Sequence, residues 1–309
     1  MLMYESLPIV ASLISSISRA GLNVVDRRQF INASICPINI SYWNNFLPVV
    51  LMAPLVLFSP AAEFVSVDLI SIYVVLLALL IQLVAYSFGY AFRTLRVTDI
   101  AILSKSADIT VPTFLSFVGV YSIHSGVIWI LPVILLMFVL SAGIQAAKRS
   151  SCASIALVAI LSSQGIYSYF VGFNSPLDSG LWGLLSFAFA VLIWRFIFSF
   201  LILIQKEGFT RAFKFPGKIL TLGGFYTRSF LTVITQLTFL LAISANQLML
   251  VWPILNTTGF MGAIFAYLFL GERLHARDLL FIFLTFLLTA LVVYLLNYEE
   301  LHPLFYKNI

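Results

Sequence analysis

Charge is what this sequence has least of. Only 9% of its 309 residues are charged while 61% are hydrophobic, whereas a water-facing surface carries roughly 25–35% charged side chains. A soluble globular domain is excluded. Histidine is scarce: His124, His275 and His302 all fall between or beyond the apolar runs. With them go the His-Glu-x-x-His metal helix, and neither a Gly-x-Ser-x-Gly elbow nor a Gly-rich phosphate loop is present. The two cysteines, Cys36 and Cys152, are far apart and near segment edges, so no disulfide framework is expected. Also missing is any polar stretch long enough for a soluble domain, which confines function to the apolar segments themselves.

Those segments are continuous. Runs near 4–25, 39–59, 69–91, 98–120, 126–146, 152–172, 181–205, 217–242, 246–269 and 277–297 each match the ~20 helical residues that cross a hydrocarbon core. A membrane barrel would instead show alternating segments of about ten residues. The sequence therefore predicts an all-α integral membrane protein with ten transmembrane helices. The first run lacks a basic n-region and a small-residue cleavage site, so it is expected to be retained and not removed as a signal peptide.

The net charge of +5 does not point to nucleic acid, because basic residues flank membrane spans to orient them. Of the 17 Lys and Arg residues, twelve fall in the odd-numbered connections: Arg27, Arg28, Arg93, Arg96, Lys148, Arg149, Lys206, Arg211, Lys214, Lys218, Arg273 and Arg277. The even-numbered connections hold none. The positive-inside rule then puts the odd connections in the cytoplasm and both termini outside.

Ten spans invite a five-plus-five arrangement of inverted halves around a midplane site. An offset of 147 residues lays Ser104, Lys105, Asp108 and Pro112 of the fourth span over Val251, Trp252, Leu255 and Gly259 of the ninth. The expected domains are 1–147 and 148–309, two five-helix repeats of opposite topology.

Charged groups inside spans cost about 3 kcal/mol or more, and so face an interior or a watery cavity. Arg19, Lys105, Arg195 and Arg228 are the cations so placed, against Asp108 as the clearest acid. Ser12, Ser16, Arg19, Asn23 and Asp26 recur at helical steps along one face of the first span. Such a stripe either lines a site or ties helices together by hydrogen bonds. Lys105 and Asp108, three residues apart, can pair on one helix, or Lys105 can meet an anionic group while Asp108 tunes it or exchanges a proton. Trp252 stands opposite Lys105 in the proposed repeat, with Asn256 one turn on. Gln82, Tyr86, Tyr90 and Arg93 share a face of the third span, Gln164 and Tyr167 adjoin in the sixth, and Arg228, Thr232 and Thr235 adjoin in the eighth. Arg195, beside Trp194 and Ser199, suits packing or snorkelling as well as a site.

The stretch Leu270-Gly271-Glu272-Arg273-Leu274, after a small-residue-rich ninth span, resembles the repeat ending of the EamA-like branch of the drug/metabolite transporter superfamily. Val111-Pro112-Thr113-Phe114 resembles the Pro-x-Phe of that family's fourth helix, while Gly259 stands where the second repeat usually has Pro. The resemblance implies a ten-helix transporter with a central cavity. The expected substrate-binding set is Arg19, Asn23, Tyr86, Tyr90, Lys105, Asp108, Gln164, Tyr167, Arg228, Trp252 and Asn256. The excess of buried cations favours an anionic or zwitterionic metabolite, such as an amino acid, organic acid, phosphorylated compound or nucleotide-like molecule. The competing expectations are a membrane enzyme acting on a lipid-linked phosphate, and a receptor or assembly subunit, which the short loops disfavour. No catalytic residue, metal or cofactor is expected. The partners expected are a small-molecule substrate and the lipid bilayer, with no nucleic acid, in a monomer or homodimer of a bacterial inner membrane.

Overall fold

The structure, a computed structural model, describes residues 2–32, 36–118, 151–174, 180–208, 222–243 and most of 251–291. The predicted fifth span and most of the tenth lie outside the described residues. Among the described residues all regular secondary structure is helical: α1 (Leu2–Asn32), α2 (Pro37–Leu57), α3 (Ala62–Ile70), α4 (Ile72–Thr94), α5 (Val97–Phe117), α6 (Ser151–Asn174), α7 (Gly180–Glu207), α8 (Leu222–Ile243) and α9 (Thr258–Leu270). Five of these, α1, α2, α4, α7 and α8, are long and apolar enough to cross a membrane.

The chain is built as a membrane protein requires, with polar side chains inside and apolar ones outside. Ser12, Ser16, Asn45, Gln82, Lys105, Arg195 and Arg228 are buried, while Phe58, Leu55, Phe230 and Phe269 stand exposed. In water such an apolar surface would drive aggregation; against lipid tails it costs nothing, and the buried polar groups bond across helices. Gln82 of α4 shows how: it accepts from Asn45 Nδ2 at 2.8 Å and donates to Ser41 Oγ at 3.0 Å, both on α2.

Helix ends follow local chemistry. Cys36 is extended and Pro37 opens α2 at its first position, where the missing N–H would have no partner anyway. Ser71 takes an extended conformation (φ −67°, ψ 123°) that parts α3 from α4. The predicted third span therefore begins at Ile72 and not at residue 69, and α3 is a separate helix that the apolar run concealed. The first helix also extends past its predicted end at residue 25, where Asp26 meets Arg228 of α8 and Arg27 meets Glu272 just beyond α9. The ninth span is not one uninterrupted helix: Thr257 makes a tight turn, its N–H bonding Ile254 O at 3.0 Å, before α9 starts.

At the other end of α9, Gly271 is left-handed (φ 65°) and turns the chain back, a conformation that suits glycine because it lacks a Cβ. Glu272 is thereby delivered to the ends of two other helices. Its carboxylate takes Arg27 Nε of α1 at 3.2 Å and the Val97 N–H that opens α5 at 3.0 Å. Arg27 also donates to Phe92 O. Arg96 meets Asp99 at 2.7 Å and Asp278 at 3.6 Å. Side chains from the C-terminal end of α1, the α4–α5 junction and the segment after α9 thus meet at one end of the bundle. Nearby, Gly89 of α4 leaves room for the Phe30 ring of α1; an added Cβ would lie 2.8 Å from Phe30 Cζ.

The packing has a regular pattern. α1 packs on α8 and α9, and α6 packs on α4 and α5. α4 meets α7, and α8 meets α2. α2 packs on α7, and α5 packs on α9.

Candidate functional site

Helices α1 and α4 to α9 enclose a cavity of about 190 Å³. The α1 stripe explains its first wall. Ser12, Ser15, Ser16 and Ser18 are buried and hold helices together: Ser15 donates to Thr235 O, Thr235 Oγ1 donates to Ser18 Oγ, and Ser16 meets the Thr257 hydroxyl at 2.6 Å. Further along the same face Arg19, Asn23 and Asp26 line the cavity. Along its length the stripe faces the interior, its serines tying helices together and Arg19, Asn23 and Asp26 bordering the cavity.

Arg228 of α8 is the best-held cation. It donates from Nε to Asp26 Oδ1 at 2.9 Å, from Nη2 to Asp26 Oδ2 at 3.4 Å, and from Nη1 to Asn44 O at 2.8 Å and Thr232 Oγ1 at 3.1 Å. Arg19 lies 5.1 Å from the centroid of the Phe239 ring, within cation–π range. Lys105 of α5 is only 1% exposed. Its stem crosses the bare face of Gly259 on α9, where an added Cβ would lie 3.2 Å from Lys105 Cε. The missing side chain at Gly259 gives Lys105 its room.

Two cavity-lining donors are left over. Arg195 and Gln236 are each 5% exposed, and neither Arg195 Nε nor Gln236 Nε2 has a hydrogen-bond partner among the described residues. Burying a donor unpaired costs about 1–3 kcal/mol, so each is a place where a ligand atom or water is wanted. Arg195 lies within electrostatic reach of Arg228, Arg19 and Asp26. The described lining therefore sets four cations, Arg19, Lys105, Arg195 and Arg228, against one carboxylate, Asp26.

Of the residues expected to bind substrate, the cavity gathers Arg19, Asn23, Lys105, Gln164 and Arg228. Three tyrosines are placed elsewhere. Tyr86 packs with Tyr42, Phe196 and Phe200, Tyr90 is exposed, and the Tyr167 hydroxyl points to Tyr73 O at 3.5 Å. Trp252, Asn256 and the side chain of Asp108 lie outside the described residues. Sequence reasoning underweighted Arg195, and it stopped the α8 face at Thr235. Continuing the same helical steps reaches Gln236 and Phe239, which both line the cavity.

Fold and cavity together define the class: a helical membrane protein whose interior holds a small, positively charged cavity reached by side chains from both halves of the chain. No protein-family model matches the sequence, and no curated protein does.

Proposed function

We propose that this chain is a secondary transporter of a small anionic or zwitterionic metabolite, working by alternating access and built like the EamA-like branch of the drug/metabolite transporter superfamily. The observation that carries this reading is the buried cavity whose described lining sets four cations against one carboxylate, drawn from both halves of the sequence. Net positive charge in a low-dielectric site attracts an anion and offers it charge-assisted hydrogen bonds.

The packing pattern supports two repeats. Number the spans so that α1, α2, α4 and α5 are the first four, and α6, α7, α8 and α9 the sixth to ninth. Exchanging each span with the one five later turns the α1 contacts with α8 and α9 into the α6 contacts with α4 and α5. It turns α4 on α7 into α8 on α2, and leaves α2 on α7 and α5 on α9 unchanged. A pseudo-twofold axis produces this behaviour, and transporters with inverted halves carry their substrate site beside such an axis. The basic, ion-paired end would face the cytoplasm.

The test is flux. Purified protein in liposomes, loaded with unlabelled metabolite and given the labelled compound outside, should exchange anionic or zwitterionic compounds in preference to cationic ones, and an Arg19→Gln protein should exchange them more slowly. Tight binding in detergent with no exchange across the bilayer would overturn the transport reading in favour of a receptor or enzyme.

A further inference from the structure

We propose that Arg195 is the seat of the ligand's anionic group, taking a carboxylate or phosphoryl group side-on through the guanidinium edge that carries Nε. The proposal rests on the transport reading in taking the cavity for the substrate site, and it assigns the direct contact within that site.

Position comes first. Arg195 lies on the inward face of α7, on one stripe with Ala188, Leu192, Ser199 and Leu203, all buried. Fifteen residues separate it from Gly180 and twelve from Glu207, so the nearer helix end is ~18 Å away at ~1.5 Å per residue. An arginine cannot snorkel that far. Arg195 is 5% exposed and borders the cavity. The adjacent Trp194 turns to α3 instead, its indole donating to Leu69 O at 2.9 Å.

Hydrogen bonding comes second. A buried arginine that serves structure is held by the protein, as Arg228 is held by Asp26, Asn44 O and Thr232. Arg19 and Lys105 also have interaction partners, Arg19 over the Phe239 ring. Arg195 differs from all three: its Nε has no hydrogen-bond partner among the described residues. The acid within its electrostatic reach, Asp26, turns both carboxylate oxygens to Arg228. A water molecule satisfies an N–H but carries no charge, whereas an anionic oxygen accepts the bond and offsets the guanidinium as well.

Shape comes third. Nε and the adjacent Nη of a guanidinium present two parallel N–H groups, matched to two oxygens of a carboxylate or phosphoryl group. An ammonium, itself only a donor, finds nothing there to accept its protons. A neutral carbonyl accepts one bond and leaves the charge as it was. The unmet donor thus selects by charge as well as by hydrogen bonding.

The experiment is thermal unfolding of the detergent-purified full chain, as wild type, Arg195→Gln and Arg195→Lys, titrated with acetate, inorganic phosphate, acetamide and methylammonium at constant ionic strength. Single-group probes test the seat without assuming the rest of the ligand. Phosphate is also excluded from protein surfaces and stabilises without a site, so the readout is the difference between wild type and variants. Acetate or phosphate should raise the wild-type melting temperature, by about 3 °C at ten times its dissociation constant, and acetamide and methylammonium should not. The better of the two anions identifies the group. Arg195→Gln should lose at least about tenfold in affinity, the loss expected of one charge-assisted bond. Arg195→Lys, which keeps the charge and loses the planar fork, should lose several-fold. Without anion, Arg195→Gln should melt at least as high as wild type, because it removes a buried charge whose Nε is unmet.

An Arg195→Gln protein that melts several degrees lower without anion would make Arg195 a structural residue and overturn the proposal. Equal anion shifts in wild type and Arg195→Gln would overturn it too. Undiminished affinity in Arg195→Lys would reduce Arg195 to a source of field and overturn the direct contact. Liposome exchange separates the two readings. Exchange as fast in Arg195→Gln as in wild type overturns the seat and leaves transport standing. Stabilisation through Arg195 with no wild-type exchange overturns transport and leaves the seat standing.

Discussion

The pair between Asp26 and Arg228 yields a test of cavity charge that does not depend on any ligand. Asp26→Asn preserves shape and leaves Arg228 its bonds to Asn44 O and Thr232. It removes the one carboxylate among the described lining residues, so Arg228, only 7% exposed in its side chain, then faces Arg195 and Arg19 without compensation. Breaking a buried pair by removing one partner costs about 3–5 kcal/mol, and the introduced amide oxygen still accepts one bond, so a loss near ~3 kcal/mol is expected. Arg228→Gln takes away a cation instead. Asp26 then still lies within the field of Arg195, borders the cavity, and loses only a charge-assisted contact of about 1.5–3 kcal/mol, partly offset by relief of repulsion among the cations. Its cost should be ~1–2 kcal/mol.

The expected result is therefore an asymmetry, with the acid mattering more than the base. At about 2 °C per kcal/mol for a chain of this size, tryptophan fluorescence should report apparent melting shifts of about 6 °C and 3 °C. The double variant should recover part of the larger loss. Equal costs, or a larger cost for Arg228→Gln, would mean that the remaining cations do not share a field with this pair, and the electropositive cavity would be refuted.

Three further outcomes are expected. Gly259→Ala places a Cβ 3.2 Å from Lys105 Cε, so it should weaken anion binding several-fold while lowering the melting temperature by no more than an overpacking cost of about 1–3 kcal/mol; unchanged affinity would separate Lys105 from the site. Asp68, buried on α3, has its carboxyl held above the usual carboxylate range by desolvation, with the Ser186 hydroxyl opposing. Its stabilising contribution is complete below the unfolded value of about 3.9 and is lost as pH rises through the folded value; Asp68→Asn should thus raise the melting temperature at neutral pH and leave it little changed near pH 4, and the reverse order would contradict the burial argument. Glu272→Gln keeps an acceptor for the Val97 N–H but loses the ion pair with Arg27, and should cost about 1–2 kcal/mol, less than Glu272→Ala; equal costs would deny the charge any role.

Much of this was legible because membrane helices must be long, apolar and internally bonded. α2, α4, α7 and α8 stand close to their predicted positions for that reason. What escaped was set by neighbours. α3 merged with α4 because hydropathy does not register the extended backbone at Ser71. Arg27 read as a loop residue because polar side chains ordinarily end a span, and only its contact with Glu272 explains why the helix continues. The cavity was half visible: helical spacing brought Arg19, Asn23 and Arg228 to one interior, but it could not separate Gln164, which lines the cavity, from Tyr167, which turns to Tyr73. A face of a helix is readable from spacing, whereas which neighbour the face meets is not.

The contacts that join the two halves differ between the ends of the bundle, and this bears on the proposed alternating access. α4 has 23 residues, which at about 1.5 Å each place its ends some ~35 Å apart. Beyond its C-terminal end Arg27, Val97 and Arg96 of the first half hold Glu272 and Asp278 of the second. Beside its N-terminal end α3 holds α7 by two hydrogen bonds, Ser186 to Asp68 and Trp194 Nε1 to Leu69 O at 2.9 Å. Both are cross-half ties, so rocking halves would break one set while keeping the other. The first set is ionic and includes a helix-capping carboxylate; the second is a hydroxyl, an indole and a carboxyl whose burial already opposes its charge. Under the proposed alternating access the basic end would be the harder to open, and an anionic ligand in the cavity between them would lower the repulsion resisting closure at either end. In that sense the excess positive charge would do more than attract a ligand: it would couple closure of the empty protein to the arrival of one.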